Sequence, residues 1–102
     1  MLVTAWSNGK GSYGLKLSEC DQNSYFKRDW QSVILDLEGV SNPITVNTDK
    51  SSFWKNCREL ISKDIKEWFS QQGVIPWLPR YPPKFQMELV NHNRFKVLKK
   101  IE

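Results

Sequence analysis

The chain has 102 residues, of which 39% are hydrophobic and 25% charged, the composition of one soluble globular domain with a single core. No apolar run approaches the roughly 18 residues that span a bilayer, and the opening MLVTAW lacks the charged and apolar regions of a signal peptide, so a cytoplasmic protein is expected. The formal net charge of +4 is uneven: five basic side chains stand against six acidic ones in residues 1–51, and ten against five in residues 52–102.

Leu2 to Trp6 is a short β-like run closed by the turn signal Asn8-Gly9. The loop from Asn8 to Ser12 holds two glycines and Lys10, but it lacks the spacing of a nucleotide-binding loop and no long helix follows it. Tyr13, Leu15 and Leu17 alternate with Gly14 and Lys16, a strand with one buried face. Ser18, with Asp21 three residues on, predicts a capped helix of one or two turns through Phe26, from which Tyr25 and Phe26 fold back onto the sheet. Trp30 to Leu37 is the best strand pattern, with Val33, Leu35 and Leu37 alternating and Ile34 marking a place covered on both sides. Gly39 ends it, Asn42-Pro43 turns, and Ile44 to Val46 returns as a hairpin.

Residues 51–73 carry a helical period, with Trp54, Cys57, Ile61, Ile65 and Trp68 on one face and Lys55, Arg58, Lys63 and Lys66 turned away. Ser51 or Ser52 is the expected cap and Gly73 the left-handed stop. The segment reads as one helix over 52–72, or as two parted at Ser62, which would cap the second. Next, four prolines in residues 76–83 exclude helix and favour extended backbone. Phe85, Met87 and Leu89, the turn Asn91-His92-Asn93, and Phe95 with Val97 give a second hairpin over 84–99 with its basic residues facing outward.

Catalytic chemistry finds little to work with. His92 is the sole histidine and sits in a polar turn, which excludes paired-histidine metal motifs. Asp36 and Glu38 share a strand face and are the one pair able to hold Mg²⁺, yet no glutamate is followed by lysine at the second position, as metal-dependent nucleases usually require. Cys20 and Cys57 have no ligand spacing and read as reduced thiols, Cys57 as a small core residue. A non-catalytic module with no metal and no small-molecule cofactor is expected.

Binding is better served. Within 80–100, Arg80, Lys84, Arg94, Lys96, Lys99 and Lys100 stand against Glu88 alone. A lysine-guarded edge strand accounts for such charges as well as a polyanion partner does. If the loops share one side, Lys10, Lys16, Arg80, Lys84, Arg94 and Lys96 meet phosphates. Tyr13 and Trp77 then stack on bases or sugars, as does Tyr81, and Ser12 and Asn93 read base edges. The alternative is a protein-interaction or accessory module that uses an aromatic and proline-rich surface. In that reading Pro79-Arg80-Tyr81-Pro82-Pro83-Lys84 carries a PxxP pattern, and Trp6, Trp30 and Trp77 offer contact area.

Gly14 to Leu17, the short helix ending in Tyr25-Phe26 and the strand from Ser32 to Gly39 resemble the opening of the B3 DNA-binding pseudobarrel family. A helix with Phe53-Trp54, then Lys84 to Leu89 and Arg94 to Val97, is similar to that family's closing helix and hairpin. The likeness lies in the order of elements across most of the chain. Pro82-Pro83 replaces the family's Gly-Asp turn, the helical region is longer, and no base-reading residue is matched. The resemblance implies an open β-barrel with helices at its ends and a major-groove DNA contact. The expected fold is thus a single α+β domain, a strongly curved, mainly antiparallel sheet or pseudobarrel of about six strands packed on one main helix.

Overall fold

Alternation along short runs builds the sheet. In β3 (Ser32–Leu37) the side chains of Val33, Leu35 and Leu37 are buried while Ser32, Ile34 and Asp36 lie half-exposed on the other side. The same period orders β4 (Ile44–Asn47), β7 (Arg94–Val97), most of β1 (Leu2–Ser7) and the first half of β6 (Lys84–Asn91). Leu89 of β6 is exposed and not buried as expected, while β2 (Tyr13–Lys16) buries the adjacent Gly14 and Leu15. A seventh strand, β5 (Glu59–Ile61), lies inside the segment expected to be helical. The computed structural model, which describes residues 1–99, joins them in the order β4-β3-β7-β6-β1-β2-β5. All pairings are antiparallel except β3 with β7. The outermost strands β4 and β5 approach each other, so the sheet curls into a nearly closed barrel. Lys100 lies outside the described residues.

Helices stopper the two ends. At one end α1 (Glu19–Tyr25) and α2 (Ser51–Lys55) carry Phe26 and Phe53, and Phe26 stacks on Phe95 with ring centroids 4.8 Å apart. At the other, α3 (Lys63–Gln71) drives Trp68 and Phe69 into the barrel, where Phe69 stacks on Phe85 at 5.3 Å. Stacked pairs of this kind add about 0.5–1.5 kcal/mol each beyond the area they bury. Ser18 Oγ accepts the Asp21 N–H and caps α1 as expected. Gln22 of that helix is buried, and its amide donates to the Phe53 carbonyl, tying α1 to α2. Tyr25 stays exposed, and Trp30 lies ahead of β3, half-buried against Phe26 and Phe95.

The helical period over 51–73 is broken twice. α2 is capped by neither serine: Lys50 occupies the N-cap with no side-chain hydrogen bond, and Ser51 opens the helix itself. The helix ends at Asn56, and Arg58 takes a positive φ of 52°. Arg58 then accepts the Leu17 N–H at 2.9 Å, and β5 pairs with the free edge of β2. One long helix would offer a single face to the barrel. Breaking it lets Phe53 fill one mouth and Trp68 the other, with a strand between to lengthen the wall. Ser62 caps α3 by accepting the Asp64 N–H at 3.1 Å. Gly73, at φ 70°, ends α3 as expected: its N–H reaches Ser70, and the Val74 N–H reaches Phe69. Among the described residues no helix is long and apolar enough to cross a membrane.

Candidate nucleic-acid interface

Strand direction decides which turns meet. The β1–β2 turn, the β3–β4 turn, the entry to β6 and the start of α3 all lie at the α3 end of the barrel. The β6–β7 turn, with Asn91 paired to Arg94, lies at the α1–α2 end. The loops at 8–12 and 80–84 therefore converge, while the loop at 91–94 faces the opposite way.

At the α3 end the β1–β2 turn is braced by its own side chains. Asn8 Oδ1 accepts the N–H of Lys10 at 2.8 Å and of Ser12 at 3.1 Å, and Ser7 Oγ accepts the Gly9 N–H at 3.0 Å. Lys10 is thus held exposed at the tip. Lys63 and Lys66, three residues apart on α3, line a cleft with Gly11, Ser12 and Tyr13. The Lys66 ammonium stands 5.7 Å from the Tyr13 ring centre, within cation–π range. Tyr13 meets Trp77 edge to face at 5.7 Å, and Trp77 meets Phe69 at 6.0 Å, so both polar aromatics are anchored to the core.

The proline segment forms the neighbouring wall. Ala5 N–H donates to the Pro83 carbonyl at 2.8 Å and the Tyr81 N–H to Leu78 at 2.8 Å, which fixes a tight turn with Arg80 inside it. Pro79, Pro82 and Trp77 face Trp6 and Gly9 across a shallow groove, and exposed Lys84 sits opposite Thr4. Leu78 and Tyr81 are 69% and 73% exposed, unusual for side chains of their size. The end is electrostatically divided. Lys63 and Lys66 face the β1–β2 turn, whereas Asp64 and Glu67 line the cleft beside the β3–β4 turn.

Of the ten residues expected from the sequence, Lys10, Ser12, Tyr13, Trp77 and Arg80 are brought to the α3 end, and Lys84 stands below them at the entry to β6, level with Thr4. Lys16 lies on the outer wall across Thr4 from Lys84, its ammonium 3.8 Å from the buried Glu59 carboxylate. Asn93 is at the opposite end and donates its amide to the Ser32 carbonyl at 3.0 Å. Arg94, paired across the ladder with Ile34, reaches diagonally to Asp36 and donates to both carboxylate oxygens, at 2.7 and 2.8 Å. That hydrogen bonding holds the Asp36 carboxyl below its ordinary value against the opposing effect of desolvation, with the charges of Arg94 and Lys96 helping. Lys96 lies between Asp36 on β3 and Glu88 on β6. Lys16, Arg94 and Lys96 serve the wall, each with a carboxylate beside it, while Asn93 serves the opposite turn.

Of the carboxylates considered for a metal, Asp36 gives both oxygens to Arg94, and Glu38 Oε1 accepts the Lys99 backbone N–H at 2.7 Å. Among the described residues no three of His, Cys, Asp and Glu gather as metal ligands would. Cys20 is exposed and Cys57 half-buried, both free, so Cys57 is less enclosed than a core residue. His92 is an exposed turn residue at φ 47° whose ring stands 5.9 Å from that of Trp30. Lys63 and Lys66 are the members that sequence reasoning assigned to a solvated helix face. The available signal was the Ser62 cap, which restarts the helix at Lys63 and aims its first turn at the loop after β1. No protein-family model, curated protein or solved structure matches the chain.

Proposed function

We propose that the protein binds DNA through the α3 end of its barrel. The observation that carries this reading is the gathering there of Lys10, Lys63, Lys66 and Arg80, with Lys84 on the adjoining wall, none of which forms an ion pair among the described residues. Cations without carboxylate partners keep their full field for a polyanion, and each phosphate they neutralise releases counterion. Tyr13 and Trp77, anchored from behind, supply rings against which sugars and bases rest.

Fluorescence anisotropy with labelled DNA between 50 and 200 mM salt tests it. Contacts to about five phosphates would lower the affinity over that range by roughly two to three powers of ten. Replacing Lys10 and Lys66 together by alanine should reduce the slope of log affinity against log salt by about 2. Lys96→Glu, which alters a charge already flanked by Asp36 and Glu88, should leave the slope unchanged. Equal effects from the two variants would refute the assignment to this end.

A protein partner is the second reading, favoured by the exposure of Leu78 and Tyr81. Elution from a heparin or DNA column near 0.1 M salt, where screening acts over about 10 Å, would favour it.

A further inference from the structure

At the same end of the barrel, on the side of the β3–β4 turn, lies a groove of about 530 Å³, within the size range of small-ligand sites, roughly 300–1,000 Å³. It opens between the C-terminal turn of α3, the β3–β4 turn and the proline segment, and three aromatic side chains line it: Trp68, Trp77 and Tyr81. Trp68 is nearly inaccessible and its indole N–H is committed to the Glu38 carbonyl at 2.9 Å, so it forms a rigid back wall. Trp77 is immobilised by Tyr13 and Phe69. Tyr81 differs, being a large ring on a tight turn that folding leaves mostly exposed. Leu78, on the same turn, is exposed in the same way.

The polar groups are as informative as the rings. Glu38 Oε1 takes the Lys99 N–H, which orients the carboxylate and leaves Oε2 without a partner among the described residues. An oxygen so placed accepts from the amino edge of a base. The Gln71 amide, exposed beside it, carries both a donor and an acceptor. Lys99 lines the groove, so one cation stands within reach of a phosphate beside a bound base.

We infer that this groove receives a single unstacked nucleobase, with Tyr81 closing over it as a stacking lid against Trp77. The inference rests on the DNA-binding reading above and narrows it, because a base stacked within an intact duplex cannot enter. The preferred ligand is therefore single-stranded DNA, or duplex with an unpaired base. Stacking platforms of this kind tolerate any sequence, since every base has a π face, while edge contacts such as that of Glu38 add modest preference.

The test uses the full chain and a 12-nucleotide single strand carrying a central 2-aminopurine, compared with the same strand in a duplex. The single strand should bind more tightly, and its fluorescence should change on binding as the probe base leaves its neighbours for the groove. Tyr81→Ala alters an exposed side chain and should fold normally. It should weaken single-strand binding by roughly 5- to 100-fold, the effect of losing one stacked base, with an unchanged salt slope because no cation is removed. Tyr81→Phe should restore the affinity. Salt-dependent binding in which the duplex is preferred and Tyr81→Ala has no effect would overturn the base pocket and leave the DNA reading standing. Absence of binding to either form at 50 mM salt would overturn both.

Discussion

Gly14→Ala isolates how closely β5 lies against β2. Gly14 has an ordinary φ, so alanine is conformationally allowed there, and by itself the change should stabilise the fold by about 0.4–1 kcal/mol through the unfolded chain. Space decides otherwise. A Cβ at this position would stand 2.4 Å from the Leu60 carbonyl oxygen, 3.0 Å from its carbon and 3.1 Å from the Ile61 Cα, all backbone. Carbon and oxygen ordinarily approach no closer than about 3.3 Å, so β5 must retreat by roughly 1 Å. A retreat of that size breaks the ladder hydrogen bonds joining Gly14, Leu15 and Lys16 to Ile61, Leu60 and Glu59, at about 0.5–1.5 kcal/mol each. The net loss should be about 2–3 kcal/mol, or roughly 10–20 °C in melting temperature for a domain of this size. Thermal unfolding followed by circular dichroism measures it. Gly73→Ala is the comparison, since nothing lies within 4 Å there and only the φ of 70° opposes the change, at about 1–2 kcal/mol. A Gly14→Ala melting point at or above the parent's would show that β5 yields freely, and the close-approach reasoning would fall.

Asp36 gives a pH dependence of definite sign. Its folded carboxyl is held below the unfolded value of roughly 3.9, so its stabilisation is complete above that pH and is lost as the pH falls through the depressed value. The parent should therefore lose more stability between pH 5 and pH 2 than Asp36→Asn does, by urea titration; parallel losses would sink the claim. Trp68→Phe keeps a ring in the barrel mouth but removes the indole donor to the Glu38 carbonyl. The urea midpoint should fall by the equivalent of about 1–2 kcal/mol with the m-value unchanged, and an unaltered midpoint would mean that water replaces the donor.

The strands were legible where alternation is undiluted. Val33-Leu35-Leu37 and Phe85-Met87 announce both their elements and their buried faces. Ser18, Ser62 and Gly73 mark helix ends by chemistry confined to a few neighbouring residues, which is why they read correctly. The segment 51–73 misled because a strand of three residues, Glu59 to Ile61, is too short to disturb a helical period maintained by Trp54 and Cys57 before it and Ile65 and Trp68 after it. The choice there was made by the open edge of β2, some 45 residues earlier in the chain, and by the space that Gly14 leaves. The candidate site was half legible for a similar reason. Composition places Arg94 and Lys96 in a basic tail, but only the pairing of β6 with β1 settles which mouth the last hairpin turns toward. Nothing local to Asn91-His92-Asn93 encodes it.

The strand order carries a consequence for how the polypeptide assembles. The hairpins β1–β2 and β3–β4 come early, yet they do not pair with each other; β6 and β7, which follow them in the chain, are inserted between them like a keystone. Until residue 97 has left the ribosome the two early hairpins remain separate sheets with open edges, and the pairings that unite them, Val3 with Phe85 and Leu35 with Phe95, span most of the chain. A chain stopped at Pro83 should thus hold two unjoined, aggregation-prone sheets, and a peptide of residues 84–99 supplied in trans is what would rescue it.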